Sequence, residues 1–114
     1  MSDDAIVAVA LDYFEGWFDG DPARMERALH PELAKRGVVP DGLARTTAAR
    51  MVELTAEGAG RDEDVGARGI DITVEDVHGE IANVTVRSAV YREYLQLVRT
   101  PDGWKIVNAL WQAT

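Results

Sequence analysis

The last third of the chain, residues 69–111, restricts the possible folds of this sequence more than any other segment. It is rich in β-branched and aromatic residues, and two turn signals divide it. We predict three consecutive antiparallel strands, over residues 69–77, 80–99 and 103–111. His78-Gly79 forms the first connection, because glycine readily adopts the positive φ of a tight turn, and Thr100-Pro101-Asp102-Gly103 forms a β-turn.

The first 30 residues have the periodicity of helices. Apolar side chains recur over residues 3–19 at the i, i+3, i+4 and i+7 spacing of one long amphipathic helix. Asp21 and Pro22 are typical of a helix start, so a short second helix follows. Pro31 disfavours the helical conformation at the residue before it, and the second helix is therefore predicted to end at His30.

The middle of the chain carries weaker signals. Glycine and proline punctuate residues 32–45, which we predict to form a short edge strand and a turn. Thr46 or Thr47 opens a third helix over residues 48–57. Residues 58–69 hold four glycines and several charges, which is typical of a mobile surface loop. This order of elements predicts an α+β fold with three helices packed on one side of an antiparallel sheet.

Length and composition limit the possible functions. We expect 114 residues to form a single domain, residues 1–114, and the absence of cysteine excludes disulfides and thiolate metal sites. The net charge of −8 argues against nucleic acid and anionic membranes as partners. Asp12 and Glu15 interrupt the first apolar positions, which fits neither a signal peptide nor a membrane span. We therefore expect a cytoplasmic protein.

Both faces of the last two predicted strands carry apolar side chains. In the longest strand, Val90, Tyr94 and Val98 lie on one face and Tyr91, Leu95 and Leu97 on the other. In the last strand, Trp104, Ile106 and Leu110 oppose Val107, Ala109 and Trp111. Because helices on one side cover only one face, we expect the other face to pair with a second copy in a homodimer. The alternative is a monomer whose helices and termini wrap both faces of the sheet.

Two stretches, residues 13–36 and residues 102–111, resemble the NTF2-like superfamily and, within it, the branch labelled putative lumazine-binding. The most specific parts are Gly16-Trp17, Gly20-Asp21, His30-Pro31, residues 33–36 and residues 104–108. The resemblance implies a cone, in which a strongly curved sheet and three helices enclose a pocket and the sheet forms a dimer. It implies no single activity, because the superfamily includes transport factors, ketosteroid-isomerase-like and dehydratase-like enzymes, and polyketide cyclases of the SnoaL type.

Five polar or aromatic residues are candidates for a ligand-binding site. Tyr13 and Trp17 share the helical stripe expected to face the pocket, and Tyr94 or Asn108 reaches it from the sheet. His30 is a candidate acid or base, since a histidine titrates near neutral pH. Each also has a structural interpretation: the aromatic residues fit an ordinary core, Asn108 fits a hydrogen-bonded strand, and His30 fits a helix cap.

Catalysis has one candidate pair, His30 as acid or base and Tyr13 as hydrogen-bond donor. The resemblance to isomerase-like enzymes implies a carboxylate base near the first short strand, but residues 34–39 offer Lys35 and Arg36 and no acid. Dehydratase-like members imply a histidine with a carboxylate, for which Glu26 lies one turn before His30. We predict no cofactor and no metal site, since the only two histidines lie on different elements.

The sequence leads to three functional hypotheses. The first is a homodimer that binds an unidentified small molecule in an apolar pocket between sheet and helices. The second is an isomerase, dehydratase or cyclase that uses His30 as acid or base. The third is a structural or protein-interaction domain that acts through the face of its sheet.

Overall fold

The computed structural model describes residues 3–114. The chain begins with two helices, continues through a β-hairpin and two further helices, and ends in four strands. In order, the elements are α1 (Asp4–Asp19), α2 (Pro22–Ala28), β1 (Leu29–Val39), β2 (Gly42–Thr46), α3 (Ala48–Ala56), α4 (Ala59–Glu63), β3 (Asp71–His78), β4 (Ile81–Arg87), β5 (Tyr91–Thr100) and β6 (Gly103–Ala113).

Within these residues, six strands form one curved, open sheet in the order β2-β1-β6-β5-β4-β3. Neighbouring strands are antiparallel except β1 and β6, which run parallel. The helices pack on one face, where the apolar side of α1 meets the inward residues of the last four strands. The predicted α+β fold is confirmed, with four helices in the described chain in place of the predicted three.

The junction between α1 and α2 has the residues and caps that the sequence predicts. Gly20 adopts the left-handed conformation with φ 66°, and the Asp21 N–H donates to the Gly16 carbonyl at 2.8 Å. Asp21 then caps α2, since its Oδ1 accepts the Arg24 N–H at 3.2 Å. The predicted end of α2 at His30 is wrong, because the helix stops at Ala28.

The hairpin of β1 and β2 replaces the predicted short edge strand and turn. β1 has 11 residues and lies between β2 and β6, while β2 forms the edge. Leu29 is already extended and pairs with Ile106. Pairing with β6 therefore starts the strand two residues before Pro31, and His30 belongs to β1.

The predicted single strand over residues 80–99 is two strands. A fully extended run of that length would measure about 65 Å at roughly 3.3 Å per residue, whereas the longest dimension of the protein is 36 Å. The chain reverses at Ser88, whose hydroxyl accepts the N–H groups of Val90 and Tyr91 at 3.3 and 2.9 Å. The two turns predicted at His78-Gly79 and after Thr100 are confirmed.

A β-bulge at Val107 corrects the predicted faces of the last strand. Gln96 pairs with Asn108 while the next residue, Leu97, pairs with Ile106, so Val107 is the extra residue. Ile106 and Ala109 are both buried as a result, although the simple alternation places them on opposite faces. The outer face is therefore less apolar than the sequence pattern indicates.

The glycine-rich stretch 58–69 is not simply a polar loop. It contains α4, whose Gly60 is buried against the end of α1. A Cβ on Gly60 would lie 2.0 Å from the Trp17 carbonyl oxygen, so only glycine permits this approach. The close contact fixes α4 over the end of the cavity described below. In residues 3–114, no helix has the length and apolar character needed to cross a membrane.

Candidate functional site

A cavity of about 230 Å³ lies between the helices and the inner face of the sheet. Its apolar wall includes Phe14, Met51 and Leu54. Its polar and aromatic wall consists of Tyr13 and Trp17 from α1, Lys35 from β1, Glu63 from α4, Tyr91 and Glu93 from β5, and Trp111 from β6. A mostly apolar cavity with a few converging polar groups is typical of a small-molecule site.

Three buried polar groups form a chain along one wall of the cavity. The Tyr13 hydroxyl donates to Glu93 Oε2 at 2.5 Å and accepts a hydrogen bond from Lys35 Nζ. Lys35 Nζ also lies 3.7 Å from Glu93 Oε2, and the two side chains are 11% and 3% exposed. The alternation of β1 turns Lys35 inward, since its neighbours Ala34 and Arg36 line a groove on the outer face.

Burial sets the protonation behaviour of this chain of groups. It raises the pKa of Tyr13 well above the ordinary 10.0, and the nearby Glu93 carboxylate raises it further. Burial also lowers the pKa of Lys35 from its ordinary value, an effect that Glu93 partly opposes. The tyrosine stays neutral in the folded protein, while the lysine gives up its proton more readily than a solvated one.

A fourth polar group of the cavity wall, Glu63, joins α4 to α1 and the sheet. Its Oε1 accepts the Trp17 indole N–H at 2.8 Å and the Tyr91 hydroxyl at 2.5 Å. Burial, followed by the hydrogen bond to Glu63, raises the pKa of Tyr91. Because these two contacts hold the short α4 in place, Glu63 also fixes the position of that side of the cavity.

Trp111 completes the aromatic wall and has an unusual polar atom. Its indole N–H is buried and has no hydrogen-bond partner among residues 3–114. The ring meets Tyr91 edge-on, with centroids 5.3 Å apart. Lys35 Nζ lies 4.8 Å from the Tyr13 ring centroid and 5.9 Å from that of Trp111, so the two rings stabilise a cation between them.

The five residues predicted for ligand binding do not meet in one place. Tyr13 and Trp17 line the cavity, as the helical stripe predicts. Tyr94 and Asn108 line a groove on the opposite face of the sheet. His30 lines neither of them, and its Nδ1 accepts the Glu32 N–H at 3.0 Å in an exposed contact at the irregular start of β1.

Asn108 is satisfied by neighbours on the outer face, where it is exposed. Its Nδ2 donates to Gln96 Oε1 at 2.9 Å, and Gln96 Nε2 donates to Asn83 Oδ1 at 3.1 Å. The three amides thus cross β6, β5 and β4 as a row of side-chain hydrogen bonds. Asn108 therefore needs no ligand to satisfy its amide.

Sequence reasoning missed most of the polar cavity wall. In the sequence, Lys35 occupies a segment in which the resemblance to isomerase-like enzymes implies a carboxylate. The carboxylate that lines the cavity is Glu93, which comes from another strand. The alternation of β5 held a usable signal, because Glu93 shares a face with the buried Leu95 and Leu97. Glu63 gave no local signal. Among residues 3–114, no group of His, Asp and Glu side chains is placed to hold a metal ion.

The curved sheet, the helices on one face and the partly open cavity between them form an NTF2-like fold. The chain belongs to the family described as "Putative lumazine-binding", whose profile matches residues 1–112. No curated protein matches it.

Solved structures share the fold at low sequence identity. An NTF-2 like protein of unknown function from Silicibacter pomeroyi is 16% identical, with a TM-score of 0.78 and full coverage of both chains. An NTF2-like protein of unknown function from Shewanella baltica is 17% identical, with a TM-score of 0.70 and coverage of 97% and 92%. A ketosteroid isomerase-like protein from Erwinia carotovora is 15% identical, with a TM-score of 0.63 and coverage of 96% and 94%.

Proposed function

We propose that this protein binds a small, largely planar organic molecule in the cavity between its helices and sheet. The observation that carries the proposal is the buried Lys35-Tyr13-Glu93 chain on the cavity wall. Burying a lysine and a glutamate costs desolvation free energy, which packing of an apolar core does not require. Placed beside an open, mostly apolar space, the same groups orient a ligand.

The wall chemistry defines the kind of ligand. The rings of Tyr13, Trp17, Tyr91 and Trp111 favour a planar apolar body. Lys35 Nζ is a hydrogen-bond donor in the cavity wall, so the ligand carries a hydrogen-bond acceptor such as a carbonyl oxygen. The family description names lumazine, a planar pteridine with carbonyl groups, which makes it a sensible first probe.

The test combines native mass spectrometry with a lumazine titration followed by tryptophan fluorescence. We expect either a retained small molecule or saturable quenching. Ala59→Leu fills the cavity from α4 and should abolish both signals. Ala67→Leu makes the same change at an exposed position outside the cavity and should leave them intact. A protein that retains nothing and binds neither lumazine nor other planar carbonyl compounds would refute the proposal.

The proposal includes a homodimer formed through the outer face of the sheet. Tyr94 and Leu110 pair across β5 and β6 and are 50% and 47% exposed. Val38 on β1 is 44% exposed and lines the same surface depression as Tyr94 and Leu110. Apolar groups so exposed on adjacent strands support a protein contact.

Light scattering in solution tests the dimer. We expect twice the chain mass for the native protein and the chain mass for Leu110→Lys. Val65→Lys places the same charge on an exposed apolar residue away from the sheet and should remain dimeric. A native monomer would refute the dimer and leave the cavity proposal standing. The cytoplasmic location and single-domain organisation expected from the sequence also remain predictions.

Catalysis through His30 receives no geometric support. The proposed pair needs His30 and Tyr13 at one site, yet Tyr13 lines the cavity and His30 does not. A cavity plugged by side chains would favour the structural-domain hypothesis, and the open space beside Trp17 does not provide that support. The small-molecule site is therefore the function that the geometry supports best.

A further inference from the structure

Lys35 is chemically unlike the other lysine of the chain. The sequence has only two lysines, Lys35 and Lys105. Lys105 Nζ donates to the Arg27 carbonyl at 2.6 Å in an exposed contact. Lys35 has its amine in the cavity wall, next to a hydroxyl and a carboxyl that are both buried. A buried amine of this kind is the usual starting point for covalent chemistry with carbonyl compounds.

We infer that Lys35 forms a reversible imine with small aldehydes or ketones that enter the cavity. The inference rests on the proposed function, because it assigns a substrate class to the same cavity. It also agrees with the acceptor group that the Lys35 donor favours in a ligand.

The hydrogen bonds provide a path for the proton that must leave the amine. Lys35 Nζ donates to the Tyr13 oxygen, and Tyr13 donates its own proton to Glu93 Oε2. When Lys35 passes a proton to Tyr13 while Tyr13 passes one to Glu93, the products are a neutral amine and a neutral carboxylic acid. The tyrosine regains its original state, so the transfer needs no solvent inside the cavity.

The neutral amine then attacks the carbonyl carbon. A C–N bond forms and the C=O π bond breaks, and a proton passes from the attacking nitrogen to the oxygen to give a neutral carbinolamine. The proton stored on Glu93 returns through Tyr13, and water leaves as the C=N bond forms. Overall, an ammonium and a carbonyl compound give a protonated imine and water, with no oxidant or reductant.

The surroundings favour both the free amine and the product. Burial lowers the pKa of Lys35, which raises the fraction of neutral amine near neutral pH. The iminium carries its charge on Nζ, which lies between the Tyr13 and Trp111 rings and near Glu93. Lys35 touches the substrate in this scheme, whereas Tyr13 and Glu93 move its protons.

The test is reductive trapping with benzaldehyde and sodium cyanoborohydride, followed by peptide mapping. Reduction of the iminium leaves a stable benzyl group on the lysine that reacted. We expect Lys35 to be labelled faster than Lys105 in the native protein, because its amine lies in the cavity wall and burial lowers its pKa, which raises the neutral fraction. The preference should disappear in urea. Labelling of Lys35 at or below the rate of Lys105 in the native protein would overturn the inference.

Two variants distinguish imine formation in the cavity from labelling that depends only on how exposed a lysine is. Lys35→Arg retains a cation beside Glu93 and cannot form an imine, so it should lose the Lys35 label while Lys105 still reacts. Tyr13→Phe breaks the proton path and should slow labelling of Lys35 and change its pH profile, with Lys105 unaffected. If Tyr13→Phe does not fold, the pH profile of the native protein decides, since its midpoint should lie below 10.5, the ordinary lysine value.

The two proposals fail in distinguishable ways. Saturable quenching by lumazine without labelling of Lys35 would retain the ligand site and refute the imine. Selective labelling of Lys35 without lumazine binding would support the imine and exclude that probe. Absence of both, together with no retained molecule and no binding of other planar carbonyl compounds, would refute the carbonyl site altogether.

Discussion

Gly37 lies directly against the indole ring of Trp111. The two residues pair across the parallel strands β1 and β6, and a Cβ on Gly37 would sit 1.9 Å from Trp111 Cε2. The missing side chain thus makes room for a ring that forms part of the cavity wall. A glycine inside a strand often marks such a close approach.

The first prediction follows from this contact. Gly37→Ala should lower the free energy of unfolding by about 1–3 kcal/mol, because the added methyl overpacks the space that the indole occupies. Urea denaturation measures the change. In a Trp111→Leu background, Gly37→Ala should lower the free energy of unfolding much less, since leucine leaves room for the added methyl group. Equal costs in both backgrounds would show that the ring is not the cause.

Features specified by neighbouring residues could be predicted from the sequence. Gly20, Asp21 and Pro22 determine the junction between α1 and α2 through contacts within a few positions, so the junction was predicted correctly. The turn at Ser88 depends on equally local hydrogen bonds, but the apolar run through residues 80–99 concealed it.

Features specified by distant residues could not be predicted. Tyr13 meets Glu93 across 80 positions and Trp17 meets Glu63 across 46, so no local pattern links them. The bulge at Val107 depends on pairing with another strand, and a shift of one residue reverses the face of every side chain beyond it. That shift separates Asn108 from the cavity, and the sheet pairing of β1 removes His30 from α2.

The second prediction concerns the buried pair of Lys35 and Glu93. Removing the carboxylate in Glu93→Gln should destabilise the protein by about 3 kcal/mol, because the lysine remains buried without its counter-charge. The double variant Lys35→Met, Glu93→Gln should recover part of that loss, since neither charge remains. Thermal and urea unfolding of the single and double variants give the coupling energy. A double variant as unstable as the sum of the singles would contradict the assignment.

The third prediction concerns alkaline pH. Burial raises the folded-state pKa of Tyr13 above the unfolded value of 10.0, so the folded protein keeps a proton that the unfolded chain has lost. The stability contributed by this group is complete below pH 10.0 and declines as pH rises toward the folded pKa. We therefore expect the free energy of unfolding to fall above that pH.

Urea titrations over the alkaline range measure the slope for the native protein and for Tyr13→Phe. The variant should lose stability less steeply with pH, even if it is less stable at neutral pH. Tyr91→Phe should have an effect of the same sign, because burial and Glu63 raise that pKa as well. A slope that neither variant changes would contradict the burial of these hydroxyls.

The fourth prediction separates His30 from the cavity. Its ring contacts the backbone locally, since Nδ1 accepts the Glu32 N–H in an exposed contact within β1. His30→Gln should therefore change the free energy of unfolding by less than about 1 kcal/mol. It should leave both lumazine quenching and reductive labelling of Lys35 unchanged, whereas Tyr13→Phe should slow the labelling. If His30→Gln abolished either cavity signal while the protein stayed folded, the site would have to extend to the start of β1. The acid or base role predicted for His30 from the sequence would then regain support.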